Sequence, residues 1–246
     1  TAGDVPSARV GHGCASLNDI MIVWGGDTSS SWDTPDPELN SKLYFYNIVS
    51  RGWSQIKTEP FTAIPRGRYG HTLLVVGSIL YVFGGQREGA FFNDMWSFDL
   101  RSPRDYKITP PKWELVHEDG ATKAPSGRTG HTSVAFEDKI YIFGGTDSKY
   151  YYNDTWMFCT STHTWTELKC IGFIPSPREG HSAAVVNGMM YIFGGRGVDG
   201  SDLGDLAAVR LRDHRWYMFQ NMGPAPYARS GHAMATLGSR IVVVGG

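Results

Sequence analysis

Five histidines in this 246-residue chain each follow an arginine by three positions, and imidazole is the commonest metal ligand among protein side chains. Five imidazoles converging on one channel would form a metal site. The alternative is structural, in which each His begins a strand and bonds backbone while each Arg binds carbonyl groups between repeats. The pairs are Arg9 and His12, Arg68 and His71, Arg128 and His131, Arg178 and His181, and Arg229 and His232.

The cysteines and the net charge narrow the classes of function. Cys14, Cys159 and Cys170 are odd in number and show no spacing typical of a disulfide framework or a zinc site, which favours a reducing, intracellular compartment. The net charge of -1 provides no overall field for nucleic acid or an anionic membrane. No apolar run is long enough for a membrane helix, and no leader opens the chain. We expect a soluble, cytoplasmic protein that binds no nucleic acid and does not insert into membranes.

The elements that position these residues repeat along the chain. The histidines recur about 50 to 60 residues apart, a period typical of stacked supersecondary units. At a constant spacing after each Gly-His there is a Gly-Gly pair: Gly25-Gly26, Gly84-Gly85, Gly144-Gly145, Gly194-Gly195 and Gly245-Gly246. We expect a single domain over 1–246, with repeats at approximately 6–64, 65–124, 125–174, 175–223 and an incomplete 224–246.

Short apolar runs joined by tight turns fill each repeat. In the fourth repeat Asn187-Gly188 separates two such runs, which is the strongest short-range signal of a β-hairpin. A third strand follows, and a short fourth strand is marked by Trp53, Trp113, Trp165 or Trp216. Four antiparallel strands per repeat, with almost no helical periodicity, predict an all-β fold: a β-propeller of four-stranded antiparallel blades, four complete and a truncated fifth.

Two repeats carry insertions, and the last repeat is short. The insertion after Gly26 and the one before Trp113 are expected on opposite faces of the disc, because antiparallel strands alternate in direction. The fifth repeat stops at Gly246 after its second strand. We therefore expect the chain to be a fragment of a longer protein, or its final blades to be missing.

Four apolar positions, a Gly-Gly pair and two spaced aromatics ending in Trp resemble the kelch repeat over the whole chain. Particular residues resemble more closely the kelch domain of fungal cell-end marker and cell-polarity proteins, the tip-elongation-aberrant type. They are Gly25-Gly26-Asp27-Thr28, Pro65 to His71, Phe91-Phe92-Asn93-Asp94, Phe98 to Ser102 and the basic insertion before Trp113. The resemblance implies a kelch β-propeller, commonly of six or seven blades, followed in that family by a long coiled coil. Oligomerisation would then depend on regions outside this chain.

A radial arrangement of blades decides between the two interpretations of the histidines. Equivalent residues lie too far apart to share one ion with bonds of about 2 Å, so we prefer the structural interpretation and expect no metal or cofactor site. The Gly-Gly pairs permit close backbone approach, and no helix follows them to form a phosphate site.

Kelch architecture also occurs in copper-containing galactose oxidase and in iron-dependent specifier proteins, so a metal-dependent enzyme is an alternative. The oxidase type needs a Tyr-Cys crosslink with further Tyr and His ligands. The specifier type carries Glu, Asp and His after one Gly-Gly pair, and the stretches after Gly85, Gly145 and Gly195 show no such triplet. We expect no catalytic residue, since fold alone does not imply activity.

The loops that follow the Gly-Gly pairs differ between repeats and are the expected partner-binding face. Aromatic and Arg side chains on loops held by a rigid scaffold are typical of protein-recognition hot spots. The candidates are Asp27, Trp32, Asp33, Gln86, Arg87, Phe91, Phe92, Lys149, Tyr150, Tyr151, Tyr152, Arg196 and Asp199.

Two of these features have an ordinary explanation as well. Three consecutive tyrosines, Tyr150 to Tyr152, cannot all point into one core, yet blade packing with one exposed ring would also account for them. A basic cluster on the other face would either meet an acidic partner or simply be solvated: Arg101, Arg104, Lys107 and Lys112.

The loop composition predicts a non-enzymatic platform for protein–protein interaction, and the resemblance implies a fungal cell-polarity scaffold at the cell cortex or growing tips. A substrate-recognition module of a ubiquitin ligase, or another signalling scaffold, is a different use of the same face.

Overall fold

The computed structural model describes residues 2–28, 39–58, 62–101, 111–120, 123–220 and 223–246, with the side chain of residue 39 excepted. The chain divides into two compact halves, Thr1–Thr122 and Lys123–Gly246. The helical element of the described ranges is a single 3₁₀ turn, Leu39–Ser41. Within those ranges no helix has the length and apolar character needed to span a membrane.

The N-terminal half contains two antiparallel sheets, here called blades 1 and 2. Blade 1 has the order β1-β5-β4-β3-β2, formed by β1 (Ala2–Gly3), β2 (Gly13–Leu17), β3 (Ile20–Trp24), β4 (Leu43–Asn47) and β5 (Gly52–Ile56). Its first strand adds in parallel to the outer edge. Blade 2 has the order β11-β10-β7-β6, from β6 (Thr72–Val76), β7 (Ile79–Phe83), β10 (Met95–Asp99) and β11 (Trp113–His117), with β8 (Gln86–Arg87) and β9 (Ala90–Phe91) as a separate ribbon.

The C-terminal half contains blades 3 and 4 and a hairpin, here called blade 5. Blade 3 is β12 (Thr132–Phe136), β13 (Lys139–Phe143), β14 (Thr155–Cys159) and β15 (Thr164–Glu167). Blade 4 has the order β16-β22-β21-β19-β18, from β16 (Ile171–Gly172), β18 (Ser182–Val186), β19 (Met189–Phe193), β21 (Leu206–Arg210) and β22 (Arg215–Phe219). A small ribbon pairs β17 (Arg178–Glu179) with β20 (Arg196–Gly197), and blade 5 pairs β23 (Ala233–Leu237) with β24 (Arg240–Val244).

The two-residue hairpins that open each blade are confirmed. Val186 pairs with Met189 across Asn187-Gly188, and both turn residues have positive φ, 50° and 72°. These signs of φ are those of the type I′ turn, which Asn-Gly adopts at least cost. The all-β fold of four-stranded blades is therefore as the sequence predicted.

Each half buries its own apolar core. In the N-terminal half Ile22, Trp24 and Leu43 of blade 1 pack with residues of blade 2 that include Trp113. In the C-terminal half Phe143 of blade 3 packs with Met190 and Ile192 of blade 4, and its ring lies 4.8 Å from that of Trp216. Strands that are covered on both faces explain why their apolar runs do not alternate with polar residues.

The constant spacing of Gly-His and Gly-Gly has a geometric cause. Gly145 N–H donates to the carbonyl of Arg178 over 2.8 Å, so the end of one hairpin meets the start of the next blade. A Cβ on Gly144, whose φ is +68°, would lie only 2.9 Å from Cε1 of His181. A side chain would therefore push adjacent blades apart, and the position requires glycine.

Candidate functional site

A buried arginine lies beneath the loop that follows each Gly-Gly pair in blades 2, 3 and 4. The side chains of Arg68, Arg128 and Arg178 are each 1% exposed. Each donates from Nη1 to the carbonyl of the first glycine of its own blade's pair, over 3.0 to 3.1 Å. The arginines therefore satisfy carbonyl groups, as the structural interpretation expects.

Each of these arginines also forms a two-bond ion pair that joins the loop to the scaffold. Arg128 donates to both carboxylate oxygens of Asp154, at 2.6 and 2.9 Å. Arg178 does the same with Asp205, at 2.7 and 2.8 Å, and Arg68 with Asp94. We call each such pair a loop lock. Bidentate Arg–carboxylate pairs combine strength with fixed geometry, so the lock holds the end of the loop in one place.

Aromatic rings complete the locks of blades 2 and 3. The guanidinium carbon of Arg68 lies 4.0 Å from the ring centroid of Phe92, and that of Arg128 lies 4.1 Å from the ring of Tyr152. Phe92 is 8% exposed, so its ring offers almost no surface to a partner. Both residues were candidates for partner binding, and the structure places both against the scaffold.

The repeated histidines lie next to the joints between blades, immediately before the first strand. His71 and His181 are buried. Burial, together with the nearby positive charge of Arg68 or Arg178, lowers the pKa of each to about 3. His181 Nε2 lies 2.8 Å from the hydroxyl of Thr132, a contact between blades 4 and 3. These imidazoles are neutral at physiological pH and pack as scaffold.

In the N-terminal half the predicted loop residues surround a cleft. The cleft has a volume of about 380 Å³ and is lined by Arg66, Arg87, Glu88, Ala90 and Phe92. Arg87 Nε donates to Glu88 Oε1 over 3.1 Å. The candidates Gln86 and Phe91 pair backbone to backbone in the ribbon beside it, and Asp27 pairs with Val10. Trp32 and Asp33 lie outside the described residues.

In the C-terminal half a second set of side chains lies on the loops of blades 3, 4 and 5. Glu179 and Arg196 are cross-strand partners in the β17–β20 ribbon. Tyr151 hydroxyl donates to Glu179 over 3.3 Å, and Ser230 hydroxyl donates to Asp202 over 2.8 Å. Arg196 Nε donates to the same oxygen of Asp202 over 3.4 Å. We call this set the C-terminal loop face: Tyr150, Tyr151, Glu179, Arg196, Val198, Asp202, Tyr227 and Ser230.

Exposed apolar groups lie on the same loops as this polar row. Tyr150 is 56% exposed, Val198 69% and Tyr227 87%. Glu179, Val198, Asp202, Tyr227 and Ser230 were not among the predicted residues. Tyr227 stands two residues before Arg229, where the fourth repeat has Ser176, and that substitution within a repeated position was the available signal.

The three consecutive tyrosines take three different environments. Tyr150 is exposed with the ammonium of Lys149 5.2 Å from its ring, Tyr151 is half-buried against Glu179, and Tyr152 covers Arg128. Burial and the charge of Glu179 raise the pKa of Tyr151. Asp147 accepts the backbone N–H groups of Lys149 and Tyr150, at 2.9 and 2.6 Å. The loop is therefore held in shape before any partner binds.

Other predicted groups are satisfied locally. Asp199 accepts both the backbone N–H and the hydroxyl of Ser201. In the basic cluster Arg101 pairs with Asp99 at 2.7 Å and Lys112 with Glu114 at 3.5 Å, while Arg104 and Lys107 lie outside the described residues. Within the residues that the structure describes, no three His, Cys, Asp or Glu side chains gather as a metal site.

One cysteine differs from the others in acidity. Hydrogen bonds from Ser161 and Thr162 lower the pKa of the Cys159 thiol to about 7, whereas burial raises the pKa of Cys14 and of Cys170. Because the thiolate is the nucleophile, we expect iodoacetamide at pH 7 to alkylate Cys159 at least about tenfold faster than the other two. Peptide mass spectrometry over a time course measures the three rates, and equal rates would contradict the assignment. Ser161→Ala is expected to slow Cys159 alone.

Comparison with known proteins shows which family this chain matches. A family model described as the KLHDC2/KLHL20/DRC7 Kelch-repeats domain matches residues 11–246. The chain is 41% identical over 244 residues to Tip elongation aberrant protein 1 of Schizosaccharomyces pombe, covering 99% of this chain and 20% of that protein. It is 35% identical over 250 residues to Kelch repeat-containing protein 2 of Saccharomyces cerevisiae, covering 99% and 27%.

A third relative is Tip elongation aberrant protein 3 of Schizosaccharomyces pombe, 35% identical over 240 residues, which covers 88% of this chain and 21% of that protein. The chain thus spans between 20% and 27% of the length of these three relatives. A more distant match, 28% identical over 58% of the chain, is the N-(sulfonatooxy)prop-2-enimidothioate sulfolyase of Thlaspi arvense.

Proposed function

The chain belongs to the kelch-repeat family of β-propeller proteins, and from that premise we propose that it is a non-enzymatic protein-binding platform of a fungal cell-polarity scaffold. Family membership supports a role in protein–protein interaction. The proposal goes further and assigns the contact to the C-terminal loop face, with the N-terminal cleft as a second contact point.

The observation that carries this assignment is the composition of the C-terminal loop face. Two tyrosines and a valine are more than half exposed around a row of charged groups. Tyrosine and arginine dominate protein-interaction hot spots because each combines a large apolar area with directed hydrogen bonds. Exposed apolar groups that gather in one place, unlike scattered ones, mark interaction sites.

Rigidity makes such a surface effective. Asp147 fixes the tip of the β13–β14 loop, and the lock between Arg178 and Asp205 fixes the end of the β19–β21 loop. A surface that is already ordered loses little conformational entropy on binding, so more of the contact energy appears as affinity. Both signs of charge are present, with Arg196 next to Glu179 and Asp202, which favours a partner whose surface also carries both signs.

The N-terminal cleft offers a different chemistry. The side chains of Arg66 and Arg87 line it together with the edge of Phe92. Glu88 also lines the cleft, and its carboxylate accepts from Arg87 Nε. A carboxylate of a partner protein would bind there by taking the place of Glu88, because Arg binds carboxylates through two parallel hydrogen bonds.

The cellular role is inferred from the relatives. Two of them are named for aberrant tip elongation, and the match to one covers 99% of this chain. We propose that this chain acts in polarised growth, at the cell cortex or at growing tips, by holding another protein there.

The proposal predicts the effect of two substitutions on partner binding. The chain is used as bait in extract of a filamentous or fission-dividing fungus, and each captured protein is then purified and titrated against it. Tyr150→Ala and Arg196→Ala are each expected to raise the dissociation constant by about tenfold or more, the loss of affinity typical of one hot-spot residue. Calorimetric titration measures this.

Matched controls lie at the other end of the same blades. Arg212→Ala and His163→Ala change exposed residues of the turns that join the third and fourth strands, so affinity should stay within about twofold. If these controls weaken binding as much as Tyr150→Ala and Arg196→Ala do, the contact lies elsewhere. A stoichiometric copper or iron ion in the purified chain would instead favour the enzyme alternative.

A further inference from the structure

The loop lock of blade 4 lacks the indole, aromatic-ring and asparagine contacts that support the other two. Asp94 and Asp154 each accept a second hydrogen bond, from the indole N–H of Trp96 or Trp156 at 2.7 Å. Blade 4 has Ala207 at the corresponding position, two residues after Asp205. The side chain of Asp205 is accordingly 29% exposed, against 8% for Asp94 and 22% for Asp154.

The loop residues that precede this aspartate are also weaker anchors. Blades 2 and 3 carry an aromatic ring over the arginine and then an asparagine: Asn93 Oδ1 accepts Gly120 N–H, and Asn153 Nδ2 donates to the carbonyl of Pro175. Blade 4 has Leu203 and Gly204 in these places. The ion pair of Arg178 and Asp205 is therefore the main buried side-chain anchor of the β19–β21 loop near its end, beside the exposed bond of Asp202 to Ser230.

Ser176 bonds to the same arginine as Asp205 does. Arg178 Nη2 donates to Ser176 Oγ over 3.0 Å as well as to Asp205 Oδ2 over 2.8 Å. Ser176 is exposed, and Pro177 follows it. The corresponding serine of blade 3, Ser126, is exposed too but is followed by Gly127.

We propose that Ser176 is a phosphorylation site whose modification releases the blade 4 loop lock. A proline-directed serine/threonine kinase would supply the phosphoryl group from a nucleoside triphosphate. The bond from Ser176 Oγ to the γ-phosphorus forms as the bond from that phosphorus to the β,γ-bridging oxygen breaks. The nucleoside diphosphate leaves, and the hydroxyl proton passes to the general base of the kinase.

The product changes the partner of Arg178. A phosphoserine carries a charge of about -1.5 to -2 and three acceptor oxygens, and it would stand where Arg178 Nη2 already donates. The phosphate takes the guanidinium hydrogen bonds and repels the Asp205 carboxylate. Asp205 is partly exposed and has no indole N–H to retain it, so it turns to solvent and the end of the loop is freed.

Loop release reaches the C-terminal loop face. Arg196, Val198 and Asp202 all lie on this loop, and Asp202 bonds to Ser230 of the next repeat. When the loop no longer bonds to Arg178, these groups adopt many conformations. The loop then loses more conformational entropy on binding, and the affinity for a partner falls. The effect on partner binding rests on the function proposed above, whereas the modification and the release of the loop do not.

The test uses the chain itself in two steps. The sequence contains three other Ser-Pro or Thr-Pro pairs, at Thr34, Ser102 and Thr109, outside the described residues. A variant with alanine at these three positions is incubated with a purified proline-directed kinase and ATP, and the products are mapped by mass spectrometry. We expect phosphate at Ser176 and not at Ser126. A folded chain that stays unmodified at Ser176, while a peptide of residues 170–183 is modified, would overturn the site.

The second step measures the loop. Phosphoserine is incorporated at position 176 during synthesis, and amide hydrogen exchange is followed by mass spectrometry. The amides of Gly197 and Leu203, which now donate to the carbonyls of Ser201 and Gly195, should exchange at least about tenfold faster, the effect of losing one charged hydrogen bond. Amides of the β13–β14 loop should not change, and Asp205→Asn should reproduce the increase without phosphate.

Unchanged exchange at Gly197 and Leu203 in the phosphorylated chain would overturn the release of the lock. Faster exchange with unaltered partner affinity would leave the phosphorylation switch standing and would instead count against the C-terminal loop face as the binding surface.

Discussion

Replacing Asp94 by alanine is expected to lower the free energy of unfolding by about 3 to 5 kcal/mol, the cost of leaving a buried charge without its partner. Arg68 is 1% exposed, so water cannot replace the lost carboxylate without a rearrangement of the loop. Its guanidinium would keep the bond to Gly84 and the ring of Phe92, but it would lose both carboxylate bonds. Trp96 would lose the acceptor of its indole N–H as well.

Urea unfolding, followed by tryptophan fluorescence, measures this loss. Asp205→Ala leaves an equally buried arginine without its carboxylate, but Arg178 keeps the hydroxyl of Ser176 as an acceptor and no indole loses its partner. We therefore expect a smaller loss there than at Asp94, nearer about 3 kcal/mol. Asp213→Ala breaks an exposed pair with Arg210, which solvent screens, so it should cost the least of the three. Equal losses at Asp94 and Asp213 would contradict the role of the lock.

Acid is the condition expected to destabilise the chain most. The pKa of His71 and of His181 is lowered to about 3 by burial and by the adjacent arginine, while the unfolded chain binds protons near pH 6.5. Below pH 6.5 the unfolded state therefore takes up protons that the folded state excludes. The contribution of the two neutral histidines to the free energy of unfolding is fully present above pH 6.5 and is lost as the pH is lowered toward 3.

The size of this effect follows from the linkage relation. Each histidine contributes about 1.4 kcal/mol per pH unit below its unfolded pKa, so the two together account for about 4 kcal/mol at pH 5. Urea unfolding at several pH values between 7 and 5 gives the slope. His71→Asn and His181→Asn should each remove about half of it, whatever they do to stability at pH 7, and Arg212→Ala should leave it unchanged. A slope that survives both substitutions would show that other groups titrate.

The strands could be predicted because their signals are local. Asn187-Gly188 and the equivalent turns determine the hairpins, and the tryptophans Trp53, Trp113, Trp165 and Trp216 mark the outermost main strand. Turn residues and apolar runs are properties of adjacent residues, so they can be recognised without knowledge of the fold. The short strands that pair in parallel at the outer edges of blades 1 and 4 were not predicted, because two-residue pairings carry no periodic pattern.

The loop locks were missed because they join residues far apart in sequence. Arg128 and Asp154 are separated by 26 positions, and neither residue type alone indicates a partner. A comparison among repeats would have found them: Asn93-Asp94 and Asn153-Asp154 precede the third strand of their blades in the same way, and Asp205 does so without the asparagine.

The loops that carry the candidate site were named from the sequence, but only some of its residues were. The role of these loops in binding stays a prediction. Loops after the Gly-Gly pairs do carry the exposed aromatic and charged groups in the C-terminal half. Exposure, however, depends on which aromatic ring packs against the buried arginine. Phe92 packs against Arg68 and Tyr152 against Arg128, so neither ring is free to contact a partner. Tyr227, which is 87% exposed, lies on the approach to a Gly-His pair, and its signal in the sequence was a tyrosine at the repeat position where the fourth repeat has Ser176.

The central claim, that the C-terminal loop face contacts another protein, is tested most directly by photo-crosslinking in a growing fungus. A photoreactive phenylalanine derivative replaces Tyr227, whose 87% exposure allows the change without loss of packing, and in a second strain it replaces Arg212 at the opposite end of blade 4. We expect a covalent adduct with one discrete protein from position 227 and none from position 212. Adducts from position 212 alone, or the same adduct from both positions, would contradict it.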